Sequence, residues 1–256
     1  MHALSRHRKF GVHTIQAEDE IAAANMALGA AFSGRLAVTA TSGPGMDLKA
    51  ETIGLAVAME LPLVVVDIQR AGPSTGMPTK TEAADLLMAL YGRHGESPLP
   101  VVAASTPADC FHSAIEAARI AVEHRTPVIL LTDTFLANSS EPWKLPDAAS
   151  LPEIEPRFAT EPNAGERFMP YLRDDKLARP WAIPGTPGLR HLNPLPRNLE
   201  QVLRAYERVL VPEMNMGQLS KLLRAEFLVD VDSYTKVDGL PIFTRDVMEQ
   251  VTERLT

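Results

Sequence analysis

The stretch "TIQAEDEIAAANMALGAAF" (residues 14–32) sets three carboxylates, Glu18, Asp19 and Glu20, directly before a run of small and apolar residues. Acids in a first helical turn are stabilised by the positive end of the helix dipole, and that ordinary role accounts for them without any chemistry. The following "IAAANMALGAAF" is apolar nearly all round, so the helix is expected to be buried, and at least one acid with it. A buried carboxyl needs a partner and has a raised pKa, which suits it to proton exchange. Two further stretches concentrate polar groups. "TATSGPGMDLKAE" (39–51) runs from a strand end into a helix through Ser42, Gly43, Pro44 and Gly45. Its glycines either admit a ligand to the backbone or make a tight turn, and the spacing fits neither a dinucleotide fingerprint nor a phosphate loop. "DIQRAGPSTGMPTKTEAADL" (67–86) gathers Arg70, Ser74, Thr75 and Lys80. Such donors suit a carboxylate or another anion, although a loop of this kind can also be solvated or held by its own turns.

Regular elements must position these groups. "LAVTAT" (36–41), "LPLVVVDI" (61–68), "VVAA" (101–104) and "PVILLT" (127–132) read as strands apolar on both faces, as in a parallel sheet covered on both sides. Between them, residues 47–60, 81–93 and 106–125 read as helices, the last with Thr106 as N-cap and Pro107 at its first position. The alternation predicts an α/β fold with a doubly wound, mostly parallel sheet over residues 1–140. Eleven of the 21 prolines fall between 141 and 198, which predicts a stiff connector or wrapping arm. Residues 199–256 then offer a helix, the strand "RVLVPE" (208–213), a helix over 217–227, the strand "LVDV" (228–231) and a helix over 244–255. They make about half of a second α/β domain.

Composition narrows the function. A net charge of −7 and few aromatics argue against a nucleic-acid surface, which needs clustered Lys and Arg. No apolar run approaches the roughly 18 residues of a membrane span, and the N-terminal "MHALSRHRKF" has no apolar stretch behind its basic cluster, so a cytoplasmic location is expected. The single cysteine, Cys110, excludes an internal disulfide or an iron–sulfur cluster held by this chain alone, and it reads as a small core residue. The histidines show no metal-ligand spacing, so no metal site is expected.

Taken in order, "TIQAEDEIAAANMALGAAFSG", "TATSGPGMDLKAETIGLA", "LPLVVVDIQRAGPSTGMPTKTEAADLL", "YGRHGESPLPVV" and "EPWKLPD" resemble the alpha subunit of 2-oxoglutarate:ferredoxin oxidoreductase, within the thiamine-diphosphate-dependent 2-oxoacid:acceptor oxidoreductases. The resemblance covers residues 1 to about 190, and residues from Asn193 on resemble the family's later, transketolase-C-terminal-like domain. It implies a pyrimidine-binding domain whose cofactor, thiamine diphosphate, is shared with a beta subunit that carries the magnesium ion and a 4Fe–4S cluster. It implies an (αβ)2 hetero-oligomer that decarboxylates a 2-oxoacid oxidatively, with electrons passing to ferredoxin and the acyl group to coenzyme A. Glu18 matches the carboxylate that meets the aminopyrimidine ring, where sharing a proton favours the imino tautomer that deprotonates the thiazolium. Ser42, Gly43, Pro44 and Gly45 would line the cofactor cleft, and Arg70, Ser74, Thr75 and Lys80 would hold the substrate carboxylate. The family's "YPITPS"-type stretch is not seen, and "GTPGLR" nearly abuts "HLNPLPRN" where members carry a long segment. A shortened form of the subunit is therefore expected. The rival readings are a noncatalytic remnant that still assembles, and a stand-alone α/β module binding a small anion.

Overall fold

In the computed structural model, residues 3–190, 199–213, 216–237 and 242–255 are described. Consecutive apolar residues of the central strands point alternately to two separate cores, because side chains in a strand alternate in direction. Leu63 and Val65 of β2 (Leu63–Gln69), with Ile129 and Leu131 of β4 (Pro127–Asp133), join one core. Val64, Val128 and Leu130 join the other. The first core is closed by α1 (Glu20–Phe32) and α2 (Gly43–Met59), the second by α4 (Asp109–His124) through Ala117 and Ala121. With β1 (Ala37–Thr41) and β3 (Val101–Ala103) the sheet runs β1-β2-β4-β3, and every pairing is parallel. The expected α/β parallel fold is what forms.

Three expectations about burial differ from the structure, the first being that an acid is buried with α1: Glu18, Asp19 and Glu20 are all exposed, because they head the helix at the open edge. β1 is an edge strand, and only Ala37 and Thr39 are buried, while Val38 is 53% exposed. α1 buries Ala24, Leu28 and Ala31 against the sheet and α2, but Ile21, Met26 and Phe32 on its outer face are exposed. An all-round apolar helix has only one side to offer a single domain of this topology, so the rest of its apolar surface stays open.

Element ends differ for identifiable reasons. α2 begins at Gly43 rather than residue 47, since Ser42 adopts the extended N-cap conformation and Pro44 sits in the first turn, where its missing N–H costs nothing. α3 spans only Leu86–Tyr91, because Thr81–Asp85 are drawn into the preceding loop, where Asp85 N–H donates to Gln69 Oε1 at 2.9 Å. α4 starts at Asp109 with Ala108 in the cap position, later than expected; Thr106 still meets its first turn, its hydroxyl accepting from Asp109 N–H at 3.1 Å, and the Asp109 carboxylate accepts from Ser105 N–H at 2.9 Å. A short α5 (Thr134–Asn138), capped by Asp133, follows β4 and was not expected.

Residues 141–190 form an arm that belongs to the same compact unit, which extends to Arg190. The arm adds partners at helix ends. Trp181, 2% exposed, donates from Nε1 to the Ala31 carbonyl at the end of α1 (3.1 Å), and its ring stacks under the Arg125 guanidinium at 4.9 Å. Arg179 Nε donates to the Glu60 carbonyl just past α2 at 3.3 Å, and Arg173 pairs with the Glu60 carboxylate. Arg125, which ends α4 in the left-handed region, donates back to the Pro156 carbonyl of the arm at 2.6 Å.

The second unit contains α6 (Leu199–Arg204), β5 (Leu210–Glu213), α7 (Gln218–Phe227), β6 (Asp232–Thr235) and α8 (Thr244–Leu255), with β5 and β6 parallel. "LVDV" is not a strand: Leu228 takes a left-handed conformation that ends α7, so pairing starts only at Asp232, while Val231 packs into the core with Leu203, Val211 and Leu223. Residues 191–198 of the expected connector lie outside the described residues.

Trp181→Ala should lower stability by about 3–5 kcal/mol, because it opens a cavity and strips partners from Ala31 and Arg125 together. Denaturant unfolding of the chain measures it.

Candidate functional site

In a parallel sheet all strands point their carboxyl ends to one edge, and ligands collect there. Along that edge the ends of β1 and β2, the start of α1 and the start of α5 border an open cavity of about 390 Å³, lined by Glu20, Ala40, Thr41, Ser42, Ile68, Arg70, Pro78 and Thr134. Its carboxylate is Glu20, the first residue of α1. Asp19 acts as the N-cap, accepting from Ala22 N–H at 2.7 Å. Glu18 precedes the cap, is exposed and does not line the cavity. The three acids thus divide between an upstream turn, a helix cap and a cavity wall. The Glu20 carboxylate makes no hydrogen bond among the described residues.

The glycine-rich turn works by absence of bulk. A methyl group at Gly45 would collide with the Thr41 hydroxyl and lie 2.8 Å from Glu20 Cγ. Gly45 therefore lets the first turn of α2 lie against the first turn of α1, with Glu20 at the cavity. One at Gly43 would stand 2.8 Å from both carboxylate oxygens of Asp85, so Asp85 rests on the start of α2. Of the "SGPG" residues, Ser42 reaches the cavity; Gly43, Pro44 and Gly45 build the helical turn behind it.

Arg70, at the end of β2, lines the cavity, and its Nε is buried without a hydrogen-bond partner. Ser74, Thr75 and Lys80 do not reach the cavity. They lie on an exposed flap closed on itself, where Ala71 N–H donates to the Lys80 carbonyl at 3.0 Å and Met77 N–H to the Ala71 carbonyl at 3.2 Å. The structure brings Ser42 and Arg70 together with Glu20, where the resemblance pointed to Glu18, and with two residues not singled out from sequence, Thr41 and Thr134. Thr41 was legible as the last residue of a strand feeding a glycine turn, whereas nothing local marks Thr134. Cys110 is partly buried with Sγ 3.8 Å from Thr132 Oγ1, in keeping with a packing role. Among the described residues no group of three or more His, Cys, Asp or Glu could hold a metal ion, and no helix is long and apolar enough to cross a membrane.

Behind the cavity lies Asp67, fully buried on β2, with neither oxygen in a well-formed hydrogen bond. Burial first, and then the nearby Asp85 carboxyl, push its pKa up to about 7. Lys49 of α2 is also fully buried and donates from Nζ to the Glu20 carbonyl at 3.2 Å.

A parallel sheet with an unpaired carboxylate, a guanidinium and apolar walls at its carboxyl edge defines a ligand-binding α/β domain. Residues 1–202 match the thiamine diphosphate-binding family of pyruvate flavodoxin/ferredoxin oxidoreductases, and the chain belongs to that family. It is 44% identical to the 2-oxoglutarate oxidoreductase subunit KorA of Mycobacterium tuberculosis, over 96% of this chain and 50% of the relative. That alignment runs to 332 positions, more than the chain's 256 residues, so the relative carries residues within the matched stretch that this chain lacks. The chain is 42% identical to the 2-oxoglutarate synthase subunit KorA of Archaeoglobus fulgidus, over 58% of this chain and 43% of the relative. It thus spans half or less of the length of these curated relatives. The fold is shared with a solved 2-oxoglutarate:ferredoxin oxidoreductase from Magnetococcus marinus, with 2-oxoglutarate, coenzyme A and succinyl-CoA bound, at a TM-score of 0.68 and 29% identity, over 98% of this chain and 59% of that one.

The buried Asp67 makes stability pH-dependent. Because its native pKa of about 7 lies above its ordinary 3.8, the native state binds the extra proton, so this group's contribution falls as pH rises from about 4 to 7 and is flat above. Asp67→Asn should therefore leave stability nearly unchanged near pH 4 and raise it by a few kcal/mol above pH 7. Thermal unfolding of both proteins across that range measures the divergence.

Proposed function

We propose that this chain is an alpha-type subunit of a 2-oxoacid:ferredoxin oxidoreductase, acting on 2-oxoglutarate, and that it contributes the pyrimidine-facing half of a site completed by a beta-type subunit. The observation that carries this reading is the cavity at the sheet edge, where the free Glu20 carboxylate and the half-free Arg70 guanidinium share one opening between apolar residues. The donor set fits the aminopyrimidine end of thiamine diphosphate, which needs a carboxylate for a ring nitrogen and apolar walls for the ring. When bound, the cofactor supplies the carbon nucleophile and electron sink for decarboxylation of a 2-oxoacid.

The residues of this chain then have distinct tasks. Glu20 holds a proton against the ring nitrogen, and it takes the place expected of Glu18 because the helix cap intervenes between Glu18 and the cavity. Arg70 binds the substrate carboxylate, for which a guanidinium presents paired donors. Ser42, Thr41 and Thr134 supply hydroxyls around it. Ser74, Thr75 and Lys80 sit on the flap over this edge and can add to substrate binding only by its movement. The magnesium ion and the 4Fe–4S cluster belong to the beta-type subunit, and ferredoxin and coenzyme A are the remaining partners. The open apolar face of α1, with Ile21, Met26 and Phe32, suits the contact with that subunit in an (αβ)2 assembly working in the cytoplasm.

The test is 2-oxoglutarate-dependent reduction of a viologen dye by this chain co-expressed with a beta-type subunit, with thiamine diphosphate, magnesium and coenzyme A. Glu20→Gln should lower turnover by about 10²–10⁴-fold. Glu18→Gln should change it little. Arg70→Ala should raise the KM for 2-oxoglutarate about tenfold or more, with thiamine diphosphate binding held. A stable complex that reduces no dye would assign the chain to assembly without catalysis.

A further inference from the structure

A fully buried lysine is costly, since its ammonium leaves water, and replacing such a charge by an apolar side chain of similar shape is often neutral or stabilising. Lys49 is 0% exposed, and burial pulls its pKa below the ordinary 10.5. Among the described residues no carboxylate stands within ion-pair distance of its Nζ, whose hydrogen bond goes to the Glu20 carbonyl at 3.2 Å. The fold has no evident need of this charge.

Its position explains it. Gly45 and Lys49 are four residues apart, hence on the same face of α2, and that face lies against the first turn of α1. Gly45 leaves the space into which Glu20 Cγ fits, and one turn further on Lys49 grips the same residue's backbone. The ammonium also acts on the carboxylates of Glu20 and Asp19 across the gap. Asp19 is already fixed as the helix cap, so the group left to respond is Glu20. Other charges around this turn include Arg70, which shares the cavity with Glu20, Asp85, which rests on Gly43, and Asp47 of α2, which acts on Asp85.

We infer that Lys49 is a positioning residue for Glu20: from behind the cavity it anchors the turn that carries the carboxylate, and it sets a positive charge beside that carboxylate. The inference rests on the role proposed for Glu20.

Lys49→Met removes donor and charge, and Lys49→Gln removes the charge while keeping a donor. The first measurement needs no cofactor. Thermal unfolding of the full chain should show that Lys49→Met keeps or raises Tm. Its advantage should shrink as pH rises toward 10.5, because the native state of the wild type sheds the Lys49 proton before the unfolded chain does. Adding Glu20→Gln should shift Tm by a different amount in the Lys49→Met background than in the wild type, which is the signature of coupling. The second measurement is the pH profile of viologen reduction in the complex, whose acid limb should move up in both Lys49 variants, which lack the ammonium. Additive Tm shifts with an unmoved acid limb would overturn the inference, as would loss of the folded chain in both variants, which would make Lys49 a structural residue. Full turnover by Glu20→Gln would instead remove the proposed role of Glu20, leaving the unfolding cycle to decide whether Lys49 and Glu20 are coupled.

Discussion

The site depends on how closely two helix starts approach each other. α1 and α2 both begin at the carboxyl edge of the sheet, and two positive helix ends side by side repel. Here the acids of α1 offset the dipoles, Asp19 as a cap and Glu20 beside it, and Gly45 removes the side chain that would hold the turns apart. Once that contact is made, Glu20 faces the cavity, Lys49 is sealed behind it, and the end of β1 is drawn alongside. A larger residue at Gly45 would force all three to move.

The opposite edge of the domain is held by different means. The last turns of α1, α2 and α4 have spare hydrogen-bonding capacity at the Ala31 and Glu60 carbonyls and the Arg125 guanidinium. The proline-rich arm uses it through Trp181, Arg179 and its own carbonyls. Prolines keep such a segment extended and lower the entropy lost when it docks. The arm hydrogen-bonds one edge of the sheet, where Arg125 Nε and Nη1 still lack partners, and the other edge is left polar and concave. Unsatisfied groups such as the Glu20 carboxylate and Arg70 Nε are what a ligand can complete.

Asp67 and Lys49 add a second layer to the edge that remains open. Each is a buried ionisable group just behind the cavity, one tending to hold a proton and the other to release it. Together with Asp85 they place titratable groups on β2, on α2 and in the loop before α3, so the electrostatics of the cavity are shared among elements far apart in sequence.

The strand cores, the parallel alternation and the polar stretches at 18–20, 42–45 and 70–80 were legible in the sequence, because apolar periodicity and glycine clusters are local signals. Burial of α1 was misread because periodicity tells how much of a helix is apolar and not how many neighbours it has. The choice among Glu18, Asp19 and Glu20 was invisible for a similar reason: three adjacent acids look alike until the cap conformation fixes which one heads the helix and which wall it faces. Thr134 and Lys49 joined the site only through parallel pairing and helix packing, which bring residues dozens of positions apart to one edge. The sequence by itself determined the elements and the kinds of chemistry available. Only the tertiary structure decided which groups meet, since that depends on the close approach that Gly45 allows and on where each helix begins.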